Sequence, residues 1–93
     1  MIVGIVRVEL HIPEALSLKD KRSVLKSLKD QLHGRFNVAV AEVDSNEKWQ
    51  RASLGLAMVG NDRRQVDGSL GQVTAWLRDQ RGIAVIRADQ ELL

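Results

Sequence analysis

Lys19, Arg22, Lys26 and Lys29 recur every three or four residues, with His33 one turn further on. On a helix that spacing lines them along one face, and cations at consecutive turns can follow a row of phosphates without touching a base. The same pattern also serves as an ordinary solvated face. Within residues 17–35, Lys19, Lys21, Arg22, Lys26, Lys29 and Arg35 outnumber Asp20 and Asp30 for a net of +4, and the rest of the chain carries −2. This asymmetry makes RNA the first partner to consider, with Arg51 a further cation for the same surface.

Lys21 differs from its neighbours. Its helical angle places it inside the apolar stripe, between Leu18 and Leu25, where a first-turn cation is opposed by the helix dipole. It must snorkel past the sheet edge or meet a carboxylate. The expected partner is Glu42, in an ion pair locking helix to sheet; the alternative is an anion site shared by Lys21 and Arg22.

Other polar groups offer less. Glu9 with His11, and Glu42 with Asp44, alternate along extended segments in the manner of an acid–base or metal cluster. Cross-strand pairing with Arg7 and Arg51 accounts for them more simply. There is no cysteine, nucleophile motif, phosphate loop or ligand pair at metal spacing, so neither catalysis, cofactor nor metal is expected. Gly68, Ser69, Leu70 and Gly71 spell the G-x-x-G of an RNA-clamping loop, but Val66, Leu70, Val73 and Leu77 keep helical phase through it. That phase turns both glycines away from the core. Phe36, Trp49 and Trp76 are the only aromatics, which argues against a base-stacking recognition sheet. Trp49 beside Arg51 offers one stacking platform or a packed rim.

The elements that position these groups follow from periodicity. Residues 2–12 alternate, with Val6, Val8, Leu10 and Ile12 on one face and Arg7, Glu9 and His11 on the other, as in a strand wet on one side that ends at Pro13. Ser17 and Asp20 begin a helix over residues 18–33, with Leu18, Val24, Leu25, Leu28 and Leu32 inward and Gly34 as its stop. Strands over 36–44 and 49–59 form a hairpin around the polar turn Ser45, Asn46, Glu47 and Lys48. In the first of these, Val38 and Val40 suggest one buried face and Ala41 and Val43 the other; the register stays open, with a bulge near Ala41 as one solution. In the second, Leu54, Leu56 and Met58 alternate with the small Ser53, Gly55 and Ala57. Asp62 caps a second helix reaching residue 81, Gly82 stops it, and residues 83–89 supply the last strand.

Two strand–helix–strand halves predict an α+β, ferredoxin-like β-α-β-β-α-β sandwich: a four-stranded antiparallel sheet with both helices on one face. Residues 1–93 are expected to form one such domain. Its other face is uncovered. The flat surface of Ser53, Gly55 and Ala57, beside Ala39 and Ala41 and rimmed by Trp49, is a candidate interface for a second copy or another protein. The composition, 44% apolar and 28% charged, is that of a globular chain, and neither a leader nor a membrane span is read, so a cytoplasmic protein is expected.

In the segments SLKDKRSVLKSL (residues 17–28), FNVAVAEVD (36–44) and WQRASLG (49–55), the chain resembles the YlxP-like family of small bacterial proteins of unknown function. The resemblance spans essentially the whole chain. It implies a ferredoxin-like fold and a genomic neighbourhood of translation-initiation and ribosome-maturation genes, without an established activity. Lys19, Lys21, Arg22, Glu42, Trp49, Gln50 and Arg51 are positions of that likeness. Two functions are expected in turn: a non-catalytic accessory of translation or ribosome maturation that binds RNA or the ribosome through the basic helix, or a protein-interaction module dimerising through the open sheet.

Overall fold

The structure, a computed structural model, describes residues 1–44 and 48–93; the turn residues Ser45, Asn46 and Glu47 lie outside them. Strand β1 (Ile2–His11) is followed by helix α1 (Leu18–Arg35), strands β2 (Ala39–Glu42) and β3 (Arg51–Gly60), helix α2 (Arg63–Arg78) and strand β4 (Ala84–Leu92). All pairings are antiparallel, in the order β2-β3-β1-β4. This is the ferredoxin-like arrangement that the element order predicts.

Alternation decides the layering. Along β1, Val6, Val8 and Leu10 are buried, and with Leu54 and Leu56 of β3 they join Leu25, Leu28 and Leu32 of α1 and Val66, Leu70, Val73 and Leu77 of α2 in one core. Each such side chain contributes about 1.5–3 kcal/mol when withdrawn from water. Both helices therefore cover the same face, and Ile5, Arg7, Glu9 and His11 are left on the other.

Several boundaries move for reasons of tertiary contact. Helix α1 does not stop at Gly34 but continues to Arg35, and the Phe36 amide donates to the Leu32 carbonyl. The Arg35 guanidinium lies over the Trp76 ring at 5.6 Å and Phe36 meets Trp76 edge-on at 6.3 Å. These contacts offset the roughly 1 kcal/mol that an interior glycine costs. Strand β2 shrinks to four residues because Phe36 is used as the cap of α1. Helix α2 closes at Arg78, three residues early, because the Asp79 amide donates to the Ala75 and Trp76 carbonyls and Gln80 reaches back to Leu77 and Trp76. Gly82 instead serves the following turn, at φ +82°. The register of β2 is regular against β3, from Ala39 opposite Ala57 to Glu42 opposite Leu54, with no bulge at Ala41. The irregularity lies between β1 and β4, where Glu9 faces Arg87 and Leu10 faces Val85. Ile86 is the extra residue.

Gly4 sits where α2 crosses β1, and a Cβ there would lie 2.6 Å from both Leu70 Cδ1 and Val66 Cγ1. Gly68 and Gly71 face open space on the outside of α2, so the G-x-x-G is helix and not loop. Opposite effects follow for one chemical change. Gly4→Ala should destabilise the fold by about 1–3 kcal/mol through overpacking, whereas Gly68→Ala should stabilise it by about 1 kcal/mol, both read from urea unfolding midpoints.

Candidate functional site

A reciprocal cap sets the phase of α1. The Ser17 hydroxyl accepts from the Asp20 amide and the Asp20 carboxylate accepts from the Leu16 amide, each at 3.0 Å. With Lys21, Leu25, Leu28 and Leu32 turned inward, Lys19, Arg22, Lys26, His33 and Arg35 are exposed and Lys29 is half-buried. From Lys19 to His33 the stripe spans about 21 Å at the helical rise. Lys26 is paired with Asp30 at 3.1 Å, but both side chains are well exposed, and such a pair is worth only tenths of a kcal/mol. An external phosphate can compete for that cation. Arg35, held over Trp76 of α2, lies on another side of the helix and is not part of the stripe.

Lys21 does not belong to this surface. It is 3% exposed, and its ammonium donates to the Lys48 carbonyl at 3.3 Å. An anion site shared with exposed Arg22 therefore has no access to it. Nor is a pair with Glu42 found: the ion pairs among the described residues are Arg7–Glu9, Lys26–Asp30 and Arg87–Asp89. Glu42 ends β2 at the exposed sheet edge. Gln50 was a position of likeness without an expected role, and it makes the complementary contacts. Its amide group donates to the Pro13 and Ala15 carbonyls at 3.0 and 3.4 Å, and its own carbonyl accepts from Ile12 at 2.9 Å. Residues 48–50 are thereby fastened to the connection between β1 and α1. A cation inside an apolar stripe was the available signal; the Lys48 carbonyl among its partners is one that no side-chain pattern marks.

The open sheet face divides in two. At one end Glu9 accepts from the Ser53 hydroxyl and from Arg7, and Arg87 pairs with Asp89 at 2.8 Å. The Ser53 bond, with smaller help from Arg7 and Arg51, holds the Glu9 carboxyl below its ordinary range despite partial desolvation. Its stabilising contribution is present above the unfolded carboxylate value and fades as pH falls through the lowered one. Ser53 is buried and its hydroxyl is committed, so it offers little to an interface. At the other end Ile5, Ala39, Ala41, Val43 and Ala57 line a shallow apolar depression. Val43 lies over Gly55, where a Cβ would come within 2.6 Å of its Cγ1, so Gly55 is covered and not bare. Trp49 stands apart from this depression, in a turn beside Arg51 and His11. The expected interface set is thus not one patch. Neither Glu9–His11 nor Glu42–Asp44 forms part of a cluster of three or more metal-type ligands among the described residues. Among the described residues no helix is long and apolar enough to cross a membrane.

The buried lysine generates a stability prediction. Lys21→Ala removes a packed stem and should cost about 2–4 kcal/mol; Lys21→Met keeps the stem and loses only the polar contacts of the ammonium, so it should cost less than the alanine variant. Denaturant titration of the two variants checks the ordering. Equal losses would mean that the ammonium, and not its stem, carries the effect.

Comparison with known proteins identifies the family. Residues 3–90 match the family described as "Protein of unknown function (DUF503)". The chain is also 37% identical over 75 residues to the uncharacterized protein YlxP of Bacillus subtilis (strain 168), covering 81% of this chain and 82% of that protein. A match along nearly the whole length places the chain in the DUF503 family of YlxP-like proteins.

Proposed function

We propose that the protein is a non-catalytic accessory of translation or ribosome maturation that grips the phosphate backbone of structured RNA through the solvent face of α1. The observation that carries this reading is the stripe of Lys19, Arg22, Lys26 and Lys29, continued by His33, along the outer face of α1. These side chains are long enough to meet phosphates on a convex surface, and the nearby Asp20 is occupied in capping. Contacts of this kind position an RNA without specifying its sequence. The association with translation rests on the family resemblance.

Affinity for structured ribosomal RNA should fall with salt. Four phosphate contacts correspond to a log–log slope near about −3.6 for a duplex. Replacing Lys19, Arg22, Lys26 and Lys29 by glutamate should abolish most of the binding and flatten the slope. Binding that is absent at low salt, or indifferent to these four changes, would sink the proposal.

A second reading concerns the other side of the molecule, where exposed Val43 (46%) lies among Ile5, Ala39, Ala41 and Ala57. The adjacent charges, Arg7 with Glu9 and Arg87 with Asp89, are of both signs, which suits the self-complementary surface of a two-fold dimer. The four strands, of 10, 4, 10 and 9 residues, present a face of roughly 500 Å², somewhat below the ~800 Å² per partner of a standard interface. Sedimentation velocity should then show a dimer that Ala57→Arg returns to monomer. Ala57 is the better probe because an arginine at Gly55 would collide with Val43 within the same chain. A protein that stays monomeric at high concentration removes this reading.

A further inference from the structure

Trp49 is 51% exposed, yet the backbone on both sides of it is held in place. Lys21 bonds the Lys48 carbonyl, Ile12 bonds the Gln50 carbonyl, and the Gln50 side chain bonds Pro13 and Ala15. A large ring at the surface of a slack loop can fold back onto the protein; these four bonds limit that freedom and keep the indole facing water. Beside it, His11 and Arg51 share the shallow recess at the end of the sheet. Arg51 takes no part in the ion pairs of the described residues. The carboxylate in its vicinity, Glu9, already has one oxygen on Arg7 and the other on Ser53. The recess thus combines a half-exposed indole with a guanidinium left for an outside anion.

We propose that this recess is a binding site for one unpaired nucleotide of RNA, its base stacked on Trp49 and its phosphate met by Arg51. The inference rests on the RNA reading above and extends it from phosphates to a base. An exposed indole stacks any base and discriminates little between them. It does discriminate against a duplex, where both faces of each base are already covered. Lys21 ties this segment to the first turns of α1, so the stack sits at the end of the molecule where the Lys19 and Arg22 stripe begins. A strand leaving a paired region can serve both surfaces.

The test uses the full chain carrying Trp76→Phe, which leaves Trp49 as the single indole. The probes are a short unpaired oligoribonucleotide and a fully paired RNA duplex of equal length. The unpaired probe should quench Trp49 fluorescence saturably, and the duplex should not. Trp49→Leu should weaken the unpaired complex by about tenfold, at the low end for one stacked base, and leave the duplex complex unchanged. Trp49→Phe should restore most of the loss, which a merely structural role would not require. If the unpaired probe binds without quenching, or Trp49→Leu leaves its affinity intact while the glutamate changes on α1 reduce it, the stacking site is overturned and the phosphate reading survives. If neither RNA binds, both are overturned.

Discussion

Two helices can cover only one face of a four-stranded sheet, and everything distinctive in this molecule follows from that constraint. β1 lies between β3 and β4, and its side chains alternate without interruption between a face closed by α1 and α2 and a face open to water. Val6, Val8 and Leu10 supply the closed side. Because antiparallel partners share a face, each residue opposite them is committed as well. Gly4 belongs to the same constraint, since the close approach of α2 that buries Val66 and Leu70 leaves no room for a Cβ beneath them.

The closed face also sets the character of α1. Its inward stripe absorbs Leu25, Leu28 and Leu32, and the phase that buries them carries Lys21 inward too. The stem of Lys21 packs like an aliphatic side chain while its ammonium leaves the core at the Lys48 carbonyl. One helix thus has two kinds of lysine. Those on the outside form an electrostatic surface, and the one inside fastens the start of β3 to the helix layer. Charge counting alone treats them alike.

The open face is less uniform than its small residues imply. Its polar end is internally satisfied by Arg7, Glu9, Ser53, Arg87 and Asp89, whereas its apolar end is roofed in part by Val43. Trp49 belongs to neither end. Among the described residues three surfaces stand out for partners: the outer side of α1, the apolar end of the sheet, and the corner where Trp49 and Arg51 stand. Membership of a family without assigned function leaves the choice among them to chemistry.

The sequence by itself determined the order of elements, the buried faces of both helices and of β1 and β3, and the outward stripe from Lys19 to Lys29. These are consequences of local periodicity, which needs no knowledge of what lies across the sheet. It also marked Lys21 as anomalous and left Trp49 between a stacking platform and a packed rim. Only the tertiary structure decided the rest. Helix α1 runs past Gly34 because Arg35 and Phe36 meet Trp76, some forty residues away. Lys21 bonds a backbone carbonyl, a kind of partner that every residue possesses and that no residue type announces. Trp49 and Ala57 separate because one lies in a turn and the other far along β3. In each case the deciding contact joins residues distant in the chain, and its energy exceeds the local preference that a sequence pattern records.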